Sequence, residues 1–193
     1  MTSRPYTGNT DGNHPKPRAG TKRFVDFSQY LFGVKSIGIY ANRPMRSGPQ
    51  LSVHATWRAI DLKGTKAQRK ALVEFLFAHR DDLNIEEIHS YDGVGVPFPT
   101  DKWGAGYRCS RDNWLKWTIS RNGGTPGADW IHVEISPLMA DSPKLVEEAF
   151  ARIFTKCLDI WPQIRSDDPA KRAQHPLSPD TGGTYAPVQV SRF

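Results

Sequence analysis

Apolar and polar positions alternate most cleanly across residues 130–136. Ile131, Val133 and Ile135 fall on one side, and Trp130, His132 and Glu134 on the other. That period of two predicts a half-buried strand with His132 on its polar face. The period lengthens elsewhere. Leu72, Phe75, Leu76 and His79 recur at helical spacing after Thr65, and Gln68 completes a capping box with it, which predicts a helix over residues 66–82. Ser142 and Pro143 start a second helix, whose apolar stripe runs from Leu145 and Val146 through Ala149, Phe150, Ile153 and Phe154 to Trp161. Phe24–Phe32 is apolar enough for a short helix or a docking segment. Short strands are predicted at 36–40, 84–90 and 115–120. Pro and Gly mark a loop at 42–50, a long ordered loop at 91–116 and a turn at 121–127. Between them, Val53, Ala55, Trp57, Ala59 and Leu62 read as a turn or strand entering the core. The pattern predicts an α+β domain, a small antiparallel sheet with helices packed on one side.

Length and composition refine this picture. The 193 residues suit one domain with tails. The domain is expected over residues 24–164, between a basic irregular arm (1–23) and an irregular tail (165–193). Residues 1–23 carry Arg4, Lys16, Arg18, Lys22 and Arg23 against Asp11 alone, so the arm holds most of the net charge of +6. Such an arm suits an anionic wall, an acidic partner or nucleic acid, the last being the least favoured. Cys109 and Cys157 are too widely spaced for a zinc knuckle or a redox pair. No apolar run reaches membrane-spanning length, and residues 1–23 lack the apolar core of a signal peptide. Synthesis in a cytoplasm without a signal peptide is the expectation.

The candidate chemistry lies in two stretches. Ser52–Asp61 holds His54 and Asp61, and Asp129-Trp-Ile-His132 adds an acid and a second His. Two imidazoles and a carboxylate form a minimal catalytic zinc set, and a further carboxylate is a candidate base. Each half also has a plainer reading: His54 a satisfied turn residue, Asp61 a capping acid, Asp129 the residue closing a Gly-rich turn. His89, in a strand near the long loop, reads first as an ordinary strand residue and second as one lining a cleft. Glu134 shares a face with His132 and is either a support for that side chain or a rival base ranked below Asp129. Trp103, Tyr107, Trp114 and Trp117 offer rings for a sugar or a peptide stem, or for packing.

Taken together, Ser-x-His-x6-Asp followed by acid-x-x-His on a strand resembles the zinc D-alanyl-D-alanine carboxypeptidase and L-alanyl-D-glutamate endopeptidase family. That family includes D-Ala-D-Ala dipeptidases, many bacteriophage endolysins and, by fold, the hedgehog signalling domain. The resemblance covers residues 36–137. It implies His54, Asp61 and His132 as ligands of Zn2+, with Asp129 as the catalytic carboxylate. Ser52 matches the family serine. Arg43, or else Arg46, takes the arginine that holds a substrate carboxylate or carbonyl. Two departures stand out: Trp57 replaces a glycine three residues after the first His, and Asp129 replaces the commoner Glu. Trp57 is expected to alter the turn or to fill part of the cleft.

The function implied is a zinc peptidase cleaving peptidoglycan stem peptides, as a bacteriophage lysis enzyme or a virion component acting at the cell wall. The terminal arms would then engage other virion proteins. The alternative is a structural or wall-binding virion protein that keeps the fold without hydrolysis.

Overall fold

The computed structural model describes residues 3–45, 48–118 and 126–164, with residues 157–164 described by their backbone alone. The chain divides into two compact units, Met1–Phe150 and Ala151–Phe193. The first holds the sheet and the candidate chemistry. The described part of the second is the C-terminal portion of a helix. The expected 165–193 tail lies outside the described residues.

The fold is α+β, a six-stranded open antiparallel sheet with four helices. The elements run α1 (Ala19–Phe32), β1 (Lys35–Gly38), a 3₁₀ turn (Val53–Thr56), β2 (Ala59–Lys63), α2 (Lys66–Ala78), β3 (Ile85–Ser90), β4 (Ala105–Arg108), β5 (Asn113–Lys116), β6 (Trp130–Ile135), α3 (Pro137–Asp141) and α4 (Pro143–Ile164). Strand order is β1-β2-β6-β3-β4-β5. The last long strand in sequence is thus inserted at the centre, between β2 and β3, where its alternating side chains meet both neighbours.

Alternation divides the sheet into two faces. Ile60, Leu62, Ile88, Ile131 and Val133 are fully buried on one. Each contributes about 1.5–3 kcal/mol by leaving water. Helices α1 and α2 pack on this side, with Phe24, Phe27 and Phe75 against Phe150. The capping box is present: Gln68 N–H donates to Thr65 Oγ1, and Thr65 N–H to Gln68 Oε1. Helix α1 ends at Gly33, whose φ of +65° lets its N–H reach Gln29 O at 2.9 Å.

Two expectations are corrected. The 91–116 segment is not one long loop, because it contains the hairpin β4–β5, in which Gly106 pairs with Leu115 and Tyr107 with Trp114. Nor is 1–23 a free irregular arm. Helix α1 begins at Ala19, and residues 3–18 lie on the sheet. They are held by polar contacts, which an apolar pattern does not register. Arg58, fully buried, bonds Asp11 at 3.1 Å, Glu86 at 3.1 Å and the carbonyls of Ile135 and Gly8. Arg18 bonds Asp11 and, at 2.7 Å, Asp141. His14 N–H donates to Ala55 O at 2.9 Å. Much of the arm's positive charge is therefore paired: Arg4 near Asp81, Arg18 with Asp11 and Asp141, Lys22 with Asp26, and Arg23 with Glu147. Among the described residues, no helix is long and apolar enough to cross a membrane.

Candidate metal centre

The polar face of the sheet gathers the site. One row crosses all six strands, Gly38, Asp61, His132, His89, Gly106 and Leu115, each opposite the next. Asp61 and His132 are thus cross-strand partners at the centre. His54 arrives from the 3₁₀ turn that leads into β2. Ser52 caps that turn, its hydroxyl accepting from His54 N–H at 3.4 Å.

The three side chains converge. Asp61 Oδ2 lies 3.4 Å from His54 Nε2, and Asp61 Oδ1 lies 3.0 Å from His132 Nδ1. One donor atom from each can be chosen so that all lie within 4.8 Å of one another. The outer nitrogens are held as a metal site requires. His54 Nδ1–H donates to Ile39 O at 3.1 Å, and His132 Nε2–H to Glu134 Oε1 at 3.0 Å. Both inner nitrogens therefore face Asp61, and the donor set fits a metal ion with nitrogen and oxygen ligands.

Electrostatics follow from this packing. Burial opposes charge on His132, but its hydrogen bonds to Asp61 and Glu134 outweigh it and push the imidazole up to about 10. Burial likewise opposes charge on Asp61, and hydrogen bonds from His132 and His54 hold its carboxyl well below the usual range. Without metal, a proton bridges the two groups.

A further polar layer supports the first. Tyr6 Oη–H donates to Glu134 Oε2 at 2.8 Å, and Arg108 Nε–H to Glu87 Oε1 at 2.9 Å. Burial beside two carboxylates drives the Tyr6 phenol far above its ordinary value. Glu87 is opposed by burial, yet the neighbouring His89 and Arg108 lower it to about 2. Tyr6 belongs to the segment expected to be free, so its link to His132 through Glu134 was not foreseen. The one sequence cue was Glu134, two positions from His132 on the same face.

The remaining expected site residues fare differently. Arg43 is exposed; its guanidinium donates to Pro44 O at 3.0 Å, and its carbonyl accepts from Ser52 N–H at 2.9 Å. Arg46 lies outside the described residues. Asp129 is not joined to the cluster by hydrogen bonds. It is half exposed, paired with Lys63 Nζ at 3.1 Å, and that pairing lowers its carboxyl. Trp57 occupies the left-handed region at φ +60°, ψ +24°. The turn thus keeps the conformation a glycine would take, although the residue is tryptophan. Its ring stacks on Tyr40 with centroids 4.5 Å apart, and Nε1–H donates to His14 O at 3.0 Å. The indole therefore joins Tyr40 to the N-terminal segment.

A scan against protein-family models found no match, and comparisons with curated proteins and with solved structures likewise found none.

Proposed function

We propose that the chain is a zinc-dependent hydrolase of peptide bonds in peptidoglycan stems, with a fold of the D-Ala-D-Ala-peptidase and hedgehog type. The observation that carries this reading is the convergence of His54, Asp61 and His132, with each His oriented by a second acceptor. Those three residues would hold the metal. Bound zinc supplies a Lewis acid that polarises a carbonyl and acidifies water.

The protein's own groups do the rest. Glu134 and Tyr6 orient His132. Arg43, exposed beside Ser52, offers a guanidinium to a substrate carboxylate or carbonyl. Asp129 is the motif's carboxylate and must leave Lys63 to take a proton from water; Glu134 is the rival base already at His132. Action at a cell wall, in lysis or from a virion, belongs to the same reading.

The pairing of Asp129 with Lys63 favours one alternative, a wall-binding protein that keeps the metal without hydrolysis. Metal analysis beside a peptidoglycan digest separates the two. One zinc per chain with new free amines supports the hydrolase, and zinc without product supports the binder. Absence of zinc, with His54→Ala and His132→Ala indistinguishable from the parent, sinks both.

A further inference from the structure

The turn of the β4–β5 hairpin carries Arg111, and its half-buried side chain folds back along the sheet. Nε–H donates to Asn113 O at 2.9 Å, and an N–H of Nη2 donates to Gly106 O. Asn113 pairs with Arg108 and Gly106 with Leu115, so the Tyr107–Trp114 pair stands between the two carbonyls. Tyr107 and Trp114 turn their rings to Phe77 of α2, on the helix side of the sheet. The Arg111 guanidinium bridges the carbonyls on the other side, the polar face that holds His132 and His89.

Its charge is unanswered. Arg108, the neighbouring arginine, is paired with Glu87 Oε1 at 2.7 Å. Arg111 has no carboxylate at ion-pair distance among the described residues, and its Nη1 donates to none of them. Burial and the charge of Arg108 both push the Arg111 guanidinium down, and Glu87 offsets them only in part. Two of the five N–H groups are spent on carbonyls, along the Nε/Nη2 edge. The Nη1/Nη2 edge keeps parallel donors, which match the two oxygens of a carboxylate. Carbonyls hold this fork in one place without neutralising it, so an anion gains both the charge and the geometry.

We infer that Arg111 is a specificity residue that binds the terminal carboxylate of the substrate peptide. This rests on the metallopeptidase reading and deepens it. Gly106, whose carbonyl fixes the guanidinium, lies two strands from His132 along the row that crosses the sheet. At about 4.8 Å per strand this is a reach of about 10 Å, and an extended chain covers it in about three residues. A stem tetrapeptide cut at its first bond carries its terminal carboxylate at that reach. The His89 and Trp117 rings fill the space over Gly106. The peptide therefore lies across their outer surface and needs no opening between them.

The test titrates the full chain, supplied with one equivalent of zinc, in a calorimeter. The probes are a synthetic stem tetrapeptide whose first peptide bond is reduced, so that it is not cleaved, and the same peptide amidated at its C-terminus. The parent should bind the acid about tenfold or more tightly than the amide, the effect of a charge-assisted hydrogen bond. Arg111→Gln should bind both at the level of the amide, with an unchanged melting temperature. Arg111→Lys, which keeps the charge but loses the fork, should retain part of the preference. A parent that binds both peptides equally, or neither, would overturn the assignment. So would an Arg111→Gln variant that keeps the preference or loses the same factor for both peptides. Zinc content of the same samples keeps the two ideas separate. Lack of zinc uptake sinks the metal reading, while the ratio of acid to amide binding decides Arg111 with or without metal.

Discussion

At the residue scale, Trp57 sits with its backbone in the left-handed region. A left-handed backbone costs a non-glycine residue roughly 1–2 kcal/mol. Trp57 holds it through the Tyr40 stack and the bond to His14 O, and its own carbonyl accepts from Thr21 Oγ1 at 2.6 Å. Trp57→Ala should therefore destabilise the fold more than Trp57→Gly, since both lose the ring but only glycine relieves the backbone; paired urea melts check the order. His132 was legible because strand alternation puts it on the polar face, and His54 and Asp61 supply a second imidazole and a carboxylate upstream. The placement of Asp129 was not, because sequence does not say that Lys63, which pairs with Trp130 across the sheet, will take its carboxylate. Metal uptake should depend on pH. The His132 imidazole, held up to about 10, must lose its proton to ligate, so zinc affinity should rise with pH between 6 and 9. The slope should approach tenfold per unit for one displaced proton, and competitive chelator titrations at several pH values measure it. An affinity flat across that range would contradict the proton bridge.

At the element scale, the N-terminal segment is where hydrophobic pattern failed. Strands β2, β3 and β6 and helix α2 announce themselves by periodicity. Residues 3–18 do not, because they dock through Asp11, Tyr6 and backbone carbonyls onto an arginine. Nor does Arg58 look buried in a sequence, since arginine is rarely fully enclosed unless paired. The hairpin β4–β5 was hidden for another reason: Gly104, Gly106 and two tryptophans within a short stretch read as loop composition. Removing residues 1–18 deletes Asp11 and leaves Arg58 with fewer partners. Breaking a buried pair costs about 3–5 kcal/mol, so the truncated chain should melt roughly 6–20 °C lower. Arg58→Ala should do comparable damage from the other side. A truncated chain that melts with the parent in calorimetry would restore the picture of a free arm.

At the scale of the whole molecule, the polar face concentrates charge that is stable only while each group keeps its state. Glu87 illustrates the direction. Its carboxyl is lowered to about 2 in the fold, against an ordinary value near 4.5. A depressed carboxyl contributes stability that is present above the unfolded value and lost as pH falls through the folded one. Asp61, also depressed, adds to the same limb. The metal-free protein should accordingly lose stability progressively below pH 4.5, and Glu87→Gln should be less stable at pH 7 but lose less on acidification. His132 acts in the opposite sense. Its raised value contributes stability that is complete below about 6.5 and lost as pH rises toward 10. Zinc should reverse that alkaline limb, because a ligand that binds only the native state stabilises it by roughly 2.7 kcal/mol at a hundredfold excess over its Kd. Thermal melts from pH 5 to 9 should therefore show the gain from zinc widening with pH in the parent and vanishing in His54→Ala. A gain of equal size in His54→Ala would place the metal elsewhere on the surface and detach the sheet's central row from the chemistry assigned to it.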